Sequence, residues 1–124
     1  VAGHRLTTGE MESAACKVAA LAECAVVGVA DEIKGEVPVV FAVPKADADA
    51  TELKERVMAA IREEIGPIAI PKDVLIVKDL PKTRSGKIMR RILRKVFTKE
   101  ELGDLSTLAN PESVEGIKAA VMKG

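Results

Sequence analysis

Two runs rich in β-branched residues, CAVVGVA at 24–30 and VPVVFAV at 37–43, flank the polar segment DEIKGE. Such runs favour extended chain over helix, and Gly35 suits a turn between them. A third run, VLIVK at 74–78, reads as another buried strand. Helical patterns occupy much of the remainder. Thr7 followed by Glu10 forms a capping box, which predicts a helix from about Thr8 to Ala19. Asp49 and Glu52 repeat that arrangement before an apolar stripe of Leu53, Val57, Ile61 and Ile65, which Gly66-Pro67 stops. Ile88, Met89, Ile92, Leu93, Val96 and Phe97 recur at helical spacing and predict an amphipathic helix over 86–97. Asn110 as cap, Pro111 in the first turn, and Val114, Ile117 and Val121 predict a short last helix. The expected fold class is α+β. A small central, mostly antiparallel three-stranded sheet is covered by helices, with a short extended segment at the N-terminus. Strand order does not follow from the pattern.

The chain of 124 residues is sized for one domain with its own core, and 48% hydrophobic against 31% charged residues places it among globular folds. Nineteen basic and nineteen acidic residues cancel, so any attraction to polyanions must be local. Cys16 and Cys24 match no zinc spacing, and His4 alone cannot complete a site, so two buried free thiols are expected. No apolar run is long enough to span a membrane, and no basic-then-apolar leader is present. The segment KADADA at 45–50 reads as a small polar turn. The chain opens at Val1 without a Met, which suits a piece of a longer protein.

Local charge is concentrated in PKTRSGKIMRRILRK, residues 81–95, which carries seven Lys or Arg and no acid. Five readings compete for it. A solvated helix face accounts for Arg90, Arg91, Arg94 and Lys95, opposite the apolar stripe. Nucleic-acid binding would use the same cations on phosphates, but the zero net charge and the absence of Trp and Tyr argue against it. A membrane-surface helix lacks the aromatic edge it would need. A phosphate-binding loop would require Gly at 81 and Ser or Thr at 88, where the chain has Pro81 and Ile88. The fifth reading is a single delivered cation. Pro81 and Gly86 shape a turn, and Lys87 falls in the first turn of the expected helix, beside unpaired N–H groups and the positive dipole end. A lysine there seeks an anion and could stabilise negative charge developing in a transition state.

The segment LPKTRSGKIMRRILRK also resembles the C-terminal motif of the acyl-adenylate-forming enzymes: acyl-CoA synthetases, luciferases and peptide-synthetase adenylation domains. Its wording is most similar to the AMP-forming acetyl-CoA synthetases. GHRLTTGEMESA (3–14), AVVGVADEIKGE (25–36), REEIGPIAIP (62–71) and LGDLSTLANP (102–111) extend the likeness over essentially the whole chain. The resemblance implies that residues 1–124 are one mobile C-terminal domain, whose hinge and large N-terminal ATP- and acetate-binding domain are absent from this chain. It implies two half-reactions: acetate and ATP give acetyl-AMP and pyrophosphate, then CoA gives acetyl-CoA and AMP. It assigns Lys87 to adenylation, bridging the carboxylate and the α-phosphate, and makes it a target of a lysine acetyltransferase and a deacetylase. Ala2 and Gly3 would line the pantetheine tunnel, Arg5 would lie near the nucleotide phosphates, and Arg62 would meet the nucleotide end of CoA. ATP with Mg and CoA are the implied cofactors, with no nucleic acid or membrane partner. The implied location is the cytoplasm or the mitochondrial matrix. Relatives commonly carry His-Pro where this chain has Val18-Ala19, so no side-chain metal site is expected there. Propionate or another short acyl group fits the same motifs.

Overall fold

The computed structural model describes residues 8–31, 35–46, 48, 52–66 and 70–123. Seven elements follow in order: α1 (Thr8–Ala15), β1 (Leu21–Asp31), β2 (Gly35–Pro44), α2 (Leu53–Ile65), β3 (Asp73–Ile76), α3 (Arg90–Thr98) and α4 (Ser113–Lys123). The strands form one sheet in the order β1-β2-β3. β1 and β2 pair antiparallel from Leu21↔Pro44 to Asp31↔Gly35, with an irregularity between Leu21 and Glu23. β3 joins β2 in parallel from Val39↔Asp73 to Ala42↔Ile76. The sheet is therefore mixed and mostly antiparallel, within the expected α+β class.

The β-branched runs are continuous because both faces of the sheet are buried, so both sets of alternating side chains are apolar. On one face Ala25, Val27, Val29, Val39, Phe41 and Leu75 pack with Ile92, Leu93 and Val96 of α3 and Val114 and Ile117 of α4. On the other, Cys24, Val26, Val40, Ala42 and Val74 pack with Met11 and Ala14 of α1 and Leu53, Val57 and Ile61 of α2. The result is helices, sheet, helices. Phe41, Ile61 and Leu93 are fully buried, and removing each such side chain from water contributes about 1.5–3 kcal/mol.

The apolar stripe on α2 matches its observed bounds, and Gly66 ends it at a φ of 135° with its N–H on the Arg62 carbonyl at 2.9 Å. Only glycine adopts that backbone readily. Thr7, Asp49 and the expected extended N-terminal segment lie outside the described residues, and Glu52 makes no side-chain cap bond. α1 is shorter than expected. Beyond Ala15 the chain tightens, with Lys17 N–H on Ala14 O (3.2 Å) and Val18 N–H on Ala15 O (3.1 Å), and Val18 turns into the core instead of continuing the helix. Two further corrections concern α3 and α4. α3 begins at Arg90, not at 86, because Lys87 and Met89 are engaged in other backbone pairing. α4 begins at Ser113, and Asn110 is not its side-chain cap. No helix among the described residues is long and apolar enough to cross a membrane.

Candidate functional site

Residues 81–89 form a hairpin, and its backbone explains why the helix starts late. Met89 N–H bonds to Pro81 O at 2.8 Å, and Thr83 N–H bonds to Lys87 O at 2.9 Å. Lys82 and Ile88 pair as an antiparallel bridge. At the tip, Gly86 N–H returns to Thr83 O at 2.9 Å with Gly86 at a φ of 90°. A three-residue loop closed by a left-handed glycine is a common hairpin solution. The Thr83 hydroxyl adds a further tie, accepting from Lys87 N–H at 3.2 Å and lying 2.9 Å from Ser85 Oγ. Ile88 and Met89 keep helical spacing with Ile92 and Leu93 only because all four pack against the same core.

The outer side of the hairpin is held as well. Thr83 bridges Leu108, and Ala109 N–H bonds to Lys82 O at 2.8 Å. Asn110 clamps the arm: its Oδ1 accepts from Lys82 N–H (2.9 Å), while its Nδ2 donates to Asp79 Oδ2 (2.8 Å) and Leu80 O (2.7 Å). Asp79 in turn accepts from Leu80 N–H at 2.9 Å. Leu80 and Pro81 are buried, so the arm enters from the core. The hairpin is therefore bonded along both edges of its first arm.

This frame sorts the cations. Lys82 pairs with Glu23 at 2.8 Å. Arg90 pairs with Glu12 through Nε (3.3 Å) and a second guanidinium nitrogen (2.6 Å), and Glu12 also accepts from Val26 N–H at 2.9 Å. Arg94 Nε donates to Gly28 O at 2.8 Å. Arg90 and Arg94 thus tie α3 to α1 and β1 while Arg94 stays exposed and Arg90 partly so, which adds bonds to the solvated face that the spacing suggested. Lys87 lies three residues before α3 rather than in its first turn. Its backbone is held at both N–H and C=O, yet its side chain is exposed and makes no ion pair or hydrogen bond among the described residues. Arg84, at the hairpin tip, and Arg91 are also exposed without a side-chain partner there.

Glu12 joins three elements, so its loss should be felt in stability. Glu12→Ala leaves the Val26 N–H and the Arg90 guanidinium without their acceptor, an expected cost of about 1–3 kcal/mol. Part of that is screened because the Arg90 side chain is 42% exposed. Glu12→Gln retains an acceptor for Val26 and should cost clearly less, read as midpoint shifts in urea denaturation.

Of the other expected site residues, Ala2, Gly3 and Arg5 lie outside the described residues. Arg62 sits exposed on the last turn of α2, and the structure does not bring it to Lys87 by any described contact. Cys24 is buried as expected, but Cys16 is exposed. The described residues hold no group of three or more His, Cys, Asp or Glu side chains placed to bind a metal. A hollow of about 400 Å³ between α3 and α4, lined by Val96, Leu102, Val121 and Met122 among others, includes none of the candidate residues. The positioning roles of Asp79, Glu12 and Asn110, the last expected only as a helix cap, have no local signal in the sequence.

The described residues thus form a three-layer domain that carries Lys87, without a side-chain partner among them, on a doubly held hairpin. Residues 10–87 match the AMP-binding enzyme C-terminal domain. The chain belongs to that family. Acetyl-coenzyme A synthetase 2 of Candida albicans is 51% identical over 97% of this chain and 19% of its own length. A solved Brucella canis acyl-CoA synthetase is 36% identical, with a TM-score of 0.71 over 78% of this chain and 18% of that one. Acetoacetyl-CoA synthetase from Streptomyces lividans shares the fold over 96% of this chain at 19% identity and a TM-score of 0.75. The chain thus spans about a fifth of the length of the relatives it matches.

Proposed function

We propose that the chain is the mobile C-terminal domain of an AMP-forming acetate–CoA ligase. Acetate and ATP, with Mg, form acetyl-AMP and pyrophosphate; CoA then takes the acetyl group and releases AMP. Lys87 serves the first step, its ammonium set between the acetate carboxylate and the α-phosphate. Residues 2–5 and Arg62 serve the second, along the pantetheine and the nucleotide end of CoA. ATP, Mg and acetate would be held mainly by a large N-terminal domain of the same enzyme. A cytoplasmic location goes with this reading.

The observation that carries it is the pairing of a fixed backbone with a free ammonium at Lys87. Lysine is strongly hydrated and flexible, so fixing its backbone removes part of the ordering cost when it meets an anion. Exposure also matters. Two unit charges 4 Å apart interact by about 1 kcal/mol in water and about 4 kcal/mol at an effective dielectric of 20. An exposed Lys87 is therefore weak until a second surface closes over it, which supports catalysis in the pose that docks this hairpin on the larger domain. Acetylation of Lys87 by an acetyltransferase would remove the charge and stop adenylation until a deacetylase restored it. Internal pairing of Lys82 and Arg90 leaves less free positive charge than a polyanion-binding module would present.

The test uses the complete protein that contains this chain. AMP release should depend jointly on acetate, ATP and CoA, with acetate preferred to propionate. Absence of turnover with any short carboxylate would contradict the reading, and preference for propionate would change only the acyl group.

A further inference from the structure

The turn between α1 and β1 brings the two cysteines together. After Ala15 the chain reverses through tight backbone bonds, ending with Leu21 N–H on Val18 O at 3.0 Å. The Cys16 and Cys24 sulfurs then lie 2.8 Å apart, both as free thiols. Cys16 is exposed at the surface, while Cys24 is 3% exposed on the sheet face beneath α1. Cys24 Sγ also faces the Glu12 carbonyl oxygen at 3.6 Å. A disulfide holds its sulfurs at about 2.05 Å, so bond formation requires an approach of less than about 1 Å. Cys16 lies just past the last residue of α1, where a small shift disturbs no sheet pairing.

The geometry points to Cys16 and Cys24 as a reversible dithiol–disulfide site, closed by a small-molecule disulfide and reopened by a thiol. Glutathione disulfide is the probe. Cys16 Sγ, as thiolate, attacks one sulfur of the probe, forms a mixed disulfide and expels one glutathione thiolate. Cys24 Sγ then attacks Cys16 Sγ, loses its proton and expels the second glutathione thiolate. Two cysteine thiols are oxidised, one glutathione disulfide is reduced to two thiols, and the two protons released pass to the two departing thiolates. Burial pushes the Cys24 thiol well above its ordinary range, and its contact with Cys16 adds to the rise. Exposed Cys16 therefore makes the first attack, and buried Cys24 resolves it. The site lies directly behind Glu12, whose carboxylate holds Arg90 at the start of α3.

The complete protein is incubated with glutathione disulfide, quenched, unfolded in an alkylating reagent and digested. The expected product is a peptide pair joined through Cys16 and Cys24, resistant to alkylation and released by a thiol reductant. Closure should run at least ~10-fold faster in the native protein than in urea, because the fold supplies the proximity. Cys24→Ala should stop at the glutathione adduct on Cys16, and Cys16→Ser should leave Cys24 unmodified over the same interval. A native protein that accumulates the Cys16 adduct with Cys24 still alkylatable would overturn the proposal. So would equal closure rates in native and unfolded protein, or a bond joining two chains.

Discussion

Lys87→Ala in the complete protein is expected to lower acetate-dependent ATP–pyrophosphate exchange by roughly 10²–10³-fold, the range for losing one preorganised electrostatic group. Excluding water around one ammonium–phosphate contact adds about 3 kcal/mol over the same contact in water, and each 1.36 kcal/mol is tenfold in rate. Lys87→Gln should behave like Ala, since the charge is gone. Lys87→Arg should recover little, because a planar guanidinium cannot place a point charge where a four-carbon stem does. The backbone bonds from Thr83 to Lys87 do not involve the Lys87 side chain. All three variants should therefore retain the wild-type melting temperature. Exchange within tenfold of wild type in the Ala variant would remove Lys87 from the reaction.

Asn110→Ala is expected to be the most damaging polar substitution near the hairpin. It strands Lys82 N–H, Leu80 O and Asp79 Oδ2 at once. With about 1–3 kcal/mol for each partly buried group left unmade, and some replaced by water, a net loss of about 2–4 kcal/mol follows. That corresponds to a fall in Tm of roughly 10 °C for a domain of this size. Asn110→Asp separates the two halves of the clamp. It keeps an acceptor for Lys82 N–H but faces the Asp79 carboxylate and the Leu80 carbonyl with negative charge. It should be destabilised at neutral pH and recover as the solution is acidified towards the carboxylate range, where a proton restores one donor. If Asn110 only packs, Asp should match Ala at every pH. Adenylation at temperatures below unfolding should fall in Asn110→Ala while exchange KM for acetate holds, because the clamp acts on the position of Lys87 rather than on acetate.

The strands and α2 were legible because burial imposes local patterns: β-branched runs where both sheet faces are covered, and a four-residue repeat ended by a glycine at positive φ. Lys87 stood out as a candidate because Pro81 and Gly86 flank it in a segment that carries the resemblance. The hairpin was not. Ile88 and Met89 carry the same periodicity as the true helix, and only backbone bonds to Pro81 and Thr83 show that they precede it. Those bonds depend in turn on Leu108, Ala109 and Asn110, more than twenty residues along the chain. Asn110 had a local explanation as a helix cap, which concealed the longer-range one. The bonds of Arg90 and Arg94 were not legible because Glu12 and the Gly28 carbonyl are remote in sequence. Non-local pairing is what the spacing of residues could not express.

In the proposed mechanism Lys87 serves one half-reaction and is idle in the other. The most direct measurement compares both in the complete Lys87→Ala protein: acetate-dependent ATP–pyrophosphate exchange, and acetyl-CoA formation from supplied acetyl-AMP and CoA. Exchange is expected to fall by roughly 10²–10³-fold while thioester formation stays near wild type. Loss of both steps to the same extent would contradict this role of Lys87.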